Sequence, residues 1–250
     1  GTELYPRLFD VDVKLFTNCR FGMMYWAVGI ICYAQAQREM FGHVSTSMAV
    51  SVGLQLIYIT KFFHWEMGYT NSMDIQHDRA GFYLCWGCLV WVPAVYTSPA
   101  MYLVKHPIDL GLYGTVGIAL AGFLCIWANY DADRQRHSFR QAKGKLNVWG
   151  KPAEYIVANY INARGEPSEG LLLLTGWWGV SRHFHYLPEI LGAFFWTLPA
   201  AIAPYFYTVF LVLLLVDRAF RDDTRCRAKY GKHWDKYCAR VPYKILPGVL

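Results

Sequence analysis

The chain has 250 residues, 55% of them hydrophobic, 17% aromatic and only 17% charged, with a net charge of +6. An ordinary soluble domain is roughly 45–50% apolar and about 25% charged, so this composition excludes one and predicts an all-α, polytopic integral membrane helical bundle. Seven cysteines, odd in number and scattered, fit neither a disulfide framework nor zinc-ligand spacing, which points to a reducing, cytosol-facing setting.

The first residues, GTELYPRLFDVDVKLF, have the pattern of neither a signal nor a transit peptide and read as a chain entered partway through. Apolar runs follow at 21–37, 44–63, 80–104 and 110–130, each near the ~20 residues a helix needs to cross hydrocarbon. The third contains Pro93 and Pro99, tolerated in a membrane helix where neighbours satisfy the freed carbonyls. Residues 1–130 are therefore expected to form an N-terminal segment with four membrane helices. The polar stretch 131–170 carries Arg134, Arg136, Arg140, Lys143, Lys145 and Lys151 and is expected to be a cytoplasmic basic loop. Residues 171–250 would supply a C-terminal membrane segment and a cytoplasmic tail. Their apolar part, 171–216, is broken by Ser181, Arg182 and His183 and expected to turn near Pro204. The positive-inside rule places both 131–170 and the tail after Val216 in the cytoplasm, and the parity of crossings closes.

The densest chemistry lies in the tail, DRAFRDDTRCRAKYGKHWDKY at 217–237. On a helix Arg218, Asp222, Cys226 and Tyr230 recur every four residues on one face, and Gly231 offers a stop or bend before Trp234 and Tyr237. Two readings fit that face: a seat for an anionic cofactor at the lip of a bilayer, or a basic helix lying on acidic headgroups. Arg136 and Arg140, four apart, suit either a phosphate clamp or a positive-inside anchor. Within GWWGVSRHFHY at 176–186 the tryptophans suit an interfacial belt. Arg182, His183 and His185, set between apolar runs, are a functional hypothesis because ionisable groups are costly there. Tyr58 stands eight residues before Glu66, on about the same helix face; it is either a proton donor to a buried substrate or an interhelical packing residue. His64, Glu66, His77 and Asp78 match no metal-ligand spacing, so no metal is expected. GKLNVWGK at 144–151 has the wrong spacing for a phosphate loop, and no G-x-G-x-x-G follows a strand.

Assembled, these residues resemble the sterol reductase family of the endoplasmic reticulum. The tail fits that family's R-D-x-x-x-C-x-x-K-Y-G-x-x-W-x-x-Y signature through Arg221, Asp222, Cys226, Lys229, Tyr230, Gly231, Trp234 and Tyr237. Gly176-Trp177-Trp178-Gly179 with Arg182-His183 fits a second signature, and Tyr5-Pro6-Arg7 stands where the family has N-P-R. RHFHYLPEI at 182–190 and Asp217-Arg218 are similar to the plant-type branch. The resemblance implies NADPH-dependent reduction of a sterol carbon 7–8 double bond, proton addition preceding hydride transfer, in a multi-pass protein with a cytoplasm-facing cofactor pocket. It implies cofactor contacts at Arg136, Arg140, Leu173, Trp178, His185, Tyr186, Asp222, Cys226, Arg227, Ala228, Lys229, Tyr230 and Tyr237. It also implies an acid at Tyr58, supported by Glu66 and Asp74. Asp133 replaces the family's usual Asn, a departure at one cofactor contact. The sterol would enter from membrane lipid, alongside other sterol-pathway membrane enzymes and with no nucleic-acid partner. Members of the family are longer, and this chain resembles their C-terminal part. Two alternatives carry over: a non-catalytic sterol-reductase-like membrane anchor, and a membrane methyltransferase using S-adenosylmethionine. The K-Y-G-x-x-W-x-x-Y tail and the clustered cations favour NADPH over the latter.

Overall fold

The computed structural model describes residues 6–70, 75, 81–162, 164–201 and 205–250. It has two compact units, Gly1–Phe123 with Gly192–Thr208, and Leu124–Leu191 with Val209–Leu250.

In the first unit a two-residue hairpin, β1 (Arg7–Leu8) with β2 (Val11–Asp12), leads into α1 (Val13–Phe41). Asp12 caps that helix by accepting from the Leu15 amide at 3.0 Å. Ser45 caps α2 (Thr46–His64) in the same way through Met48. Then come α3 (Glu66–Thr70), α4 (Phe82–Trp86) and α5 (Ser98–Leu103). Between α4 and α5 the backbone widens to a π-helix at Gly87–Tyr96, which contains Pro93. Proline has no amide hydrogen to continue an α ladder, and widened turns accommodate that defect. The Pro93 carbonyl accepts from the Thr97 hydroxyl at 2.6 Å.

Among the described residues three helical stretches are long and apolar enough to cross a membrane: Thr46–His64, Phe82–Leu103 and Gly111–Gln141. They coincide with the second, third and fourth expected spans, and the helical membrane architecture stands. The first expected run, 21–37, lies inside the 29-residue α1. Polar side chains tie the first unit internally. Gln37, fully buried, donates to the Leu103 carbonyl at 2.6 Å and accepts from the Ser45 amide at 2.7 Å. Trp26 donates to Gln55 at 2.8 Å, and Ser51 donates to the Trp196 carbonyl at 2.7 Å. Each buried polar atom in these links has a partner, as burial requires.

The second unit takes the last part of α6 (Gly111–Gln141) and then departs from expectation. The supposed basic loop 131–170 is helical as far as Gln141, and two hairpins follow. One joins β3 (Asn147–Val148) to β4 (Lys151–Pro152) through Trp149 and Gly150, both at positive φ, as a tight primed turn demands. The other pairs β5 (Tyr155–Ile161) with β6 (Pro167–Leu173) in antiparallel register, from Tyr155 opposite Leu173 to Ile161 opposite Pro167. Leu171–Leu173, read from hydropathy as the start of a membrane segment, are strand residues. Exposure along β5 alternates, and Asn162 accepts from the amides of Arg164 and Glu166 to close the turn. That period-2 pattern in YIVANYI, followed by an N-x-R-G turn, was the available signal. The chain ends with α7 (Trp177–Val180), α8 (Tyr186–Thr197), a 3-10 turn at Leu198–Ala200, α9 (Phe206–Tyr230) and α10 (Lys232–Arg240). Gly231, at φ 49° and ψ −127°, separates the last two helices where the sequence placed the break.

Candidate functional site

Most of the expected cofactor residues meet in the second unit. Arg136 lies on α6 with its guanidinium 4.2 Å above the Trp178 ring, and 3.7 Å from the Asp133 carboxylate. Cation and aromatic face attract each other, and a flat guanidinium stacks well there. Arg140, one turn on, is exposed, and no carboxylate pairs with it among the described residues. Its electrostatic neighbours are Arg136, Tyr230, Cys226 and Tyr237. The two arginines thus share a surface with the tail, Arg136 held by Trp178 and Asp133 and Arg140 with no carboxylate partner among the described residues.

Trp178 is fixed on every side. Its indole donates to the Ala132 carbonyl at 2.8 Å, and its own carbonyl accepts from the Tyr237 hydroxyl at 3.2 Å. Leu173, Phe139 and Val148 bury it. Neighbouring Trp177 donates through its ring to Asp131 at 2.8 Å and through its backbone to Gln135 at 3.0 Å. Asp131 and Gln135, neither foreseen, therefore lock the Trp177–Trp178 pair onto α6. The His185 ring lies 5.0 Å from Trp178 and 4.3 Å from Tyr186. Asn129 holds the His185 carbonyl at 2.9 Å.

On α9, Asp222 and Cys226 face one another as the four-residue spacing predicts, thiol to carboxylate at 3.7 Å. Burial, with the Asp222 charge adding to it, pushes the Cys226 thiol up to about 12. It is a neutral packing group rather than a nucleophile. Burial likewise lifts the Tyr237 phenol above its ordinary range. Trp234, buried against Ala158, Leu172, Tyr237 and Val241, donates to Asp223 at 3.1 Å. Arg227 is paired with Asp235 at 3.0 Å; Ala228 beside it is exposed. Lys229 lies over the Tyr160 ring.

The Arg182-His183 pair resolves differently from its sequence reading. Arg182 is buried, and its guanidinium donates to the carbonyls of Val241 and Pro242 at 2.7 and 3.0 Å, with Asp223 at 3.6 Å. The backbone amides of Arg182 and His183 donate to Tyr243 and Lys244, and the Ser181 hydroxyl donates to Ile245. Residues 181–183 are a strip onto which the chain after α10 docks, so Arg182 serves packing rather than a ligand. His183 stacks on Tyr186, with ring centroids 5.2 Å apart, and its Nε2 stands 3.7 Å from Asp222. Burial, helped by nearby His185 and opposed by Asp222, pushes its pKa down to about 3. Between the ordinary histidine value of 6.5 and about 3 the unfolded chain carries a proton that the folded one excludes. Stability is therefore whole above pH 6.5 and falls as the pH drops, by up to about 1.4 kcal/mol per unit. Unfolding midpoints in detergent should decline from pH 7 to pH 5, and His183→Gln should flatten that decline.

Of the expected acid group, Tyr58 and Glu66 lie in the first unit. The Tyr58 ring sits 5.7 Å from Trp26 and 5.2 Å from Trp196, under the Lys61 ammonium at 4.7 Å. The single helix face expected for Tyr58 and Glu66 does not exist. α2 ends at His64, Trp65 leaves helical geometry at φ −118° and ψ 40°, and Glu66 opens α3. Glu66 pairs with Arg20 at 2.7 Å. Asp74, His77 and Asp78, like Tyr5, lie outside the described residues. An open groove of about 690 Å³, lined by Glu154, Tyr155, Leu174, Lys236 and Arg240 among others, contains none of the expected cofactor residues.

Comparison with known proteins agrees with the motif reading. The sequence matches the Ergosterol biosynthesis ERG4/ERG24 family over residues 1–250. It is 60% identical over 253 residues to the 7-dehydrocholesterol reductase of Arabidopsis thaliana, covering 100% of this chain and 59% of that protein. It is 38% identical over 253 residues to the 7-dehydrocholesterol reductase of Xenopus laevis, covering 100% and 54%. With the Delta(14)-sterol reductase of Methylotuvimicrobium alcaliphilum identity is 40% over 256 residues, covering 100% and 57%. The chain thus spans between a half and three fifths of the length of these relatives.

Proposed function

Because this chain belongs to the ergosterol biosynthesis ERG4/ERG24 family, we propose that it is the cofactor-binding part of an endoplasmic reticulum, multi-pass sterol reductase that reduces the carbon 7–8 double bond with NADPH. The observation that carries the reading is the meeting of Arg136, Arg140 and Lys229 with the rings of Trp178, Tyr230 and His185 in one unit. The choice of bond follows the higher identity to the plant 7-dehydrocholesterol reductase than to the Delta(14)-sterol reductase.

These residues suit an anionic, ring-bearing dinucleotide. Arginines and a lysine answer phosphates, aromatic faces answer the two heterocycles, and Asp222 is an acceptor for a ribose hydroxyl. When bound, NADPH supplies a hydride. The chain's part is to hold it, to shed water through the buried Trp178 and Tyr237, and to deliver the proton that makes a hydrocarbon double bond, unpolarised by any carbonyl, electrophilic. Tyr58 is assigned as that donor, with Glu66 and Asp74 in support, on the resemblance alone. The sterol comes from the bilayer, in company with other membrane enzymes of its pathway.

A full-length version expressed in yeast that accumulates 5,7-diene sterols should convert them to 5-enes; an unchanged diene pool sinks the bond assignment. Purified protein should be titrated with NADPH and with S-adenosylmethionine, since preference for the latter would move it to the methyltransferases. Arg140→Ala is expected to raise the KM for NADPH by about tenfold or more, the worth of a charge-assisted phosphate contact. Membrane insertion should be unaffected, because that side chain is exposed and unpaired among the described residues.

A further inference from the structure

The β5–β6 hairpin supplies no residue but Leu173 to the expected binding set, yet one of its faces lies against the tail residues that set depends on. Ala158 and Tyr160, two apart on β5, point to the same side. Ala158 is fully buried with Leu172, Trp234, Tyr237 and Val241. Opposite Ala158 in register stands Gly170, and a Cβ there would come within 2.9 Å of the Tyr230 ring. The Tyr160 ring meets that of Tyr230 edge-on, with centroids 5.4 Å apart and planes at 84°. Lys229 Nζ sits 4.1 Å from the centre of the Tyr160 ring and 5.0 Å from that of Tyr230. An exposed lysine samples many rotamers, and two electron-rich ring faces select among them. One hairpin side chain therefore orients two consecutive tail residues.

We propose that Tyr160 is a positioning residue for the phosphate end of the cofactor, holding the Lys229 ammonium and the Tyr230 ring in the attitude in which they meet it. The proposal rests on the NADPH reading above and deepens it. Tyr160 acts through its neighbours and touches no reacting atom.

The test uses the full-length protein. Tyr160→Leu should raise the KM for NADPH about two- to five-fold, the range of an exposed cation–π contact, with a smaller change in kcat and in the sterol KM. Tyr160→Phe keeps the ring and should restore the wild-type value. In a Lys229→Met background Tyr160→Leu should add less than it does alone, because the Lys229 contact is already gone and only the edge contact with Tyr230 is left to lose. Tyr160→Met serves as a second ring-less variant should the leucine protein not fold. A readout that needs no cofactor accompanies these: amine labelling of Lys229, followed by mass spectrometry, should run faster in Tyr160→Leu than in wild type or Tyr160→Phe. Equal labelling rates, an unchanged NADPH KM, or additive effects with Lys229→Met would each overturn the proposal. A wild-type protein that binds no NADPH would instead sink the cofactor reading, and with it the phosphate role. Labelling would still decide whether Tyr160 holds Lys229.

Discussion

Arg182→Ala should destabilise the protein by about 3 kcal/mol or more and loosen its tail. The arginine is 6% exposed and donates to two carbonyls, Val241 and Pro242, just past the end of α10. Its charge also offsets that of Asp223, at 3.6 Å. Alanine would leave two acceptors and a half-buried carboxylate without their cation, and removing one partner of a buried charged contact costs far more than the contact's net worth. The unfolding midpoint should fall by roughly 10 °C. The thiols of Cys226 and Cys238, both partly buried near the docked segment, should react faster with a maleimide dye. Arg182→Lys keeps the charge, but its single nitrogen cannot serve both the two carbonyls, which Arg182 meets through Nη1, and Asp223, which it faces through Nη2, so it should lie between. If Arg182→Ala melts with the wild type, the docking role assigned to residues 181–183 is wrong.

Gly176→Ala is expected to cost about 2–6 kcal/mol and to abolish the proposed NADPH binding. Gly176 has φ 67° and ψ −147°, a combination that residues with a Cβ essentially do not adopt. A methyl group there would collide with the Gln135 side-chain oxygen and lie 2.6 Å from Val148 Cγ1. Backbone strain of about 1–3 kcal/mol adds to overpacking of about 1–3 kcal/mol. The collision falls on the very atom that receives the Trp177 amide. Relieving it would shift Trp177 and Trp178, and with them the ring beneath Arg136. Gly150→Ala is the control: its φ is also positive, at 79°, but nothing stands within 4 Å of the new carbon, so only the backbone cost applies. Tryptophan fluorescence in a urea series would measure both, and equal losses for the two variants would contradict the steric argument.

Local pattern was enough for much of this protein. Hydropathy located the helices at 44–63, 80–104 and 110–130, and the four-residue spacing put Asp222 beside Cys226 and Arg136 near Arg140. Gly231 marked the end of α9 because a positive φ is cheap only for glycine. Other features escaped. The hairpin at 155–173 was hidden because lysines and arginines before it dominated the reading of 131–170, while its alternation spans only seven residues. Tyr58 and Glu66 were put on one face because spacing assumes an unbroken helix, and Trp65 breaks it. Arg182, set between apolar runs, reads from sequence only as a functional hypothesis because its carbonyl partners lie about 60 residues downstream.

The sequence by itself determined a helical membrane chain, its family signatures and which cations the proposed cofactor surface would use, because these depend on composition and on neighbours within a turn or two. Only the tertiary structure decided which of those groups remain available to a ligand and which are consumed by packing. Arg136 lies over Trp178 and Lys229 over Tyr160, while Arg182 is spent on backbone carbonyls. Pairings across 40 to 70 residues are set by how helices and hairpin pack, and no local periodicity encodes them.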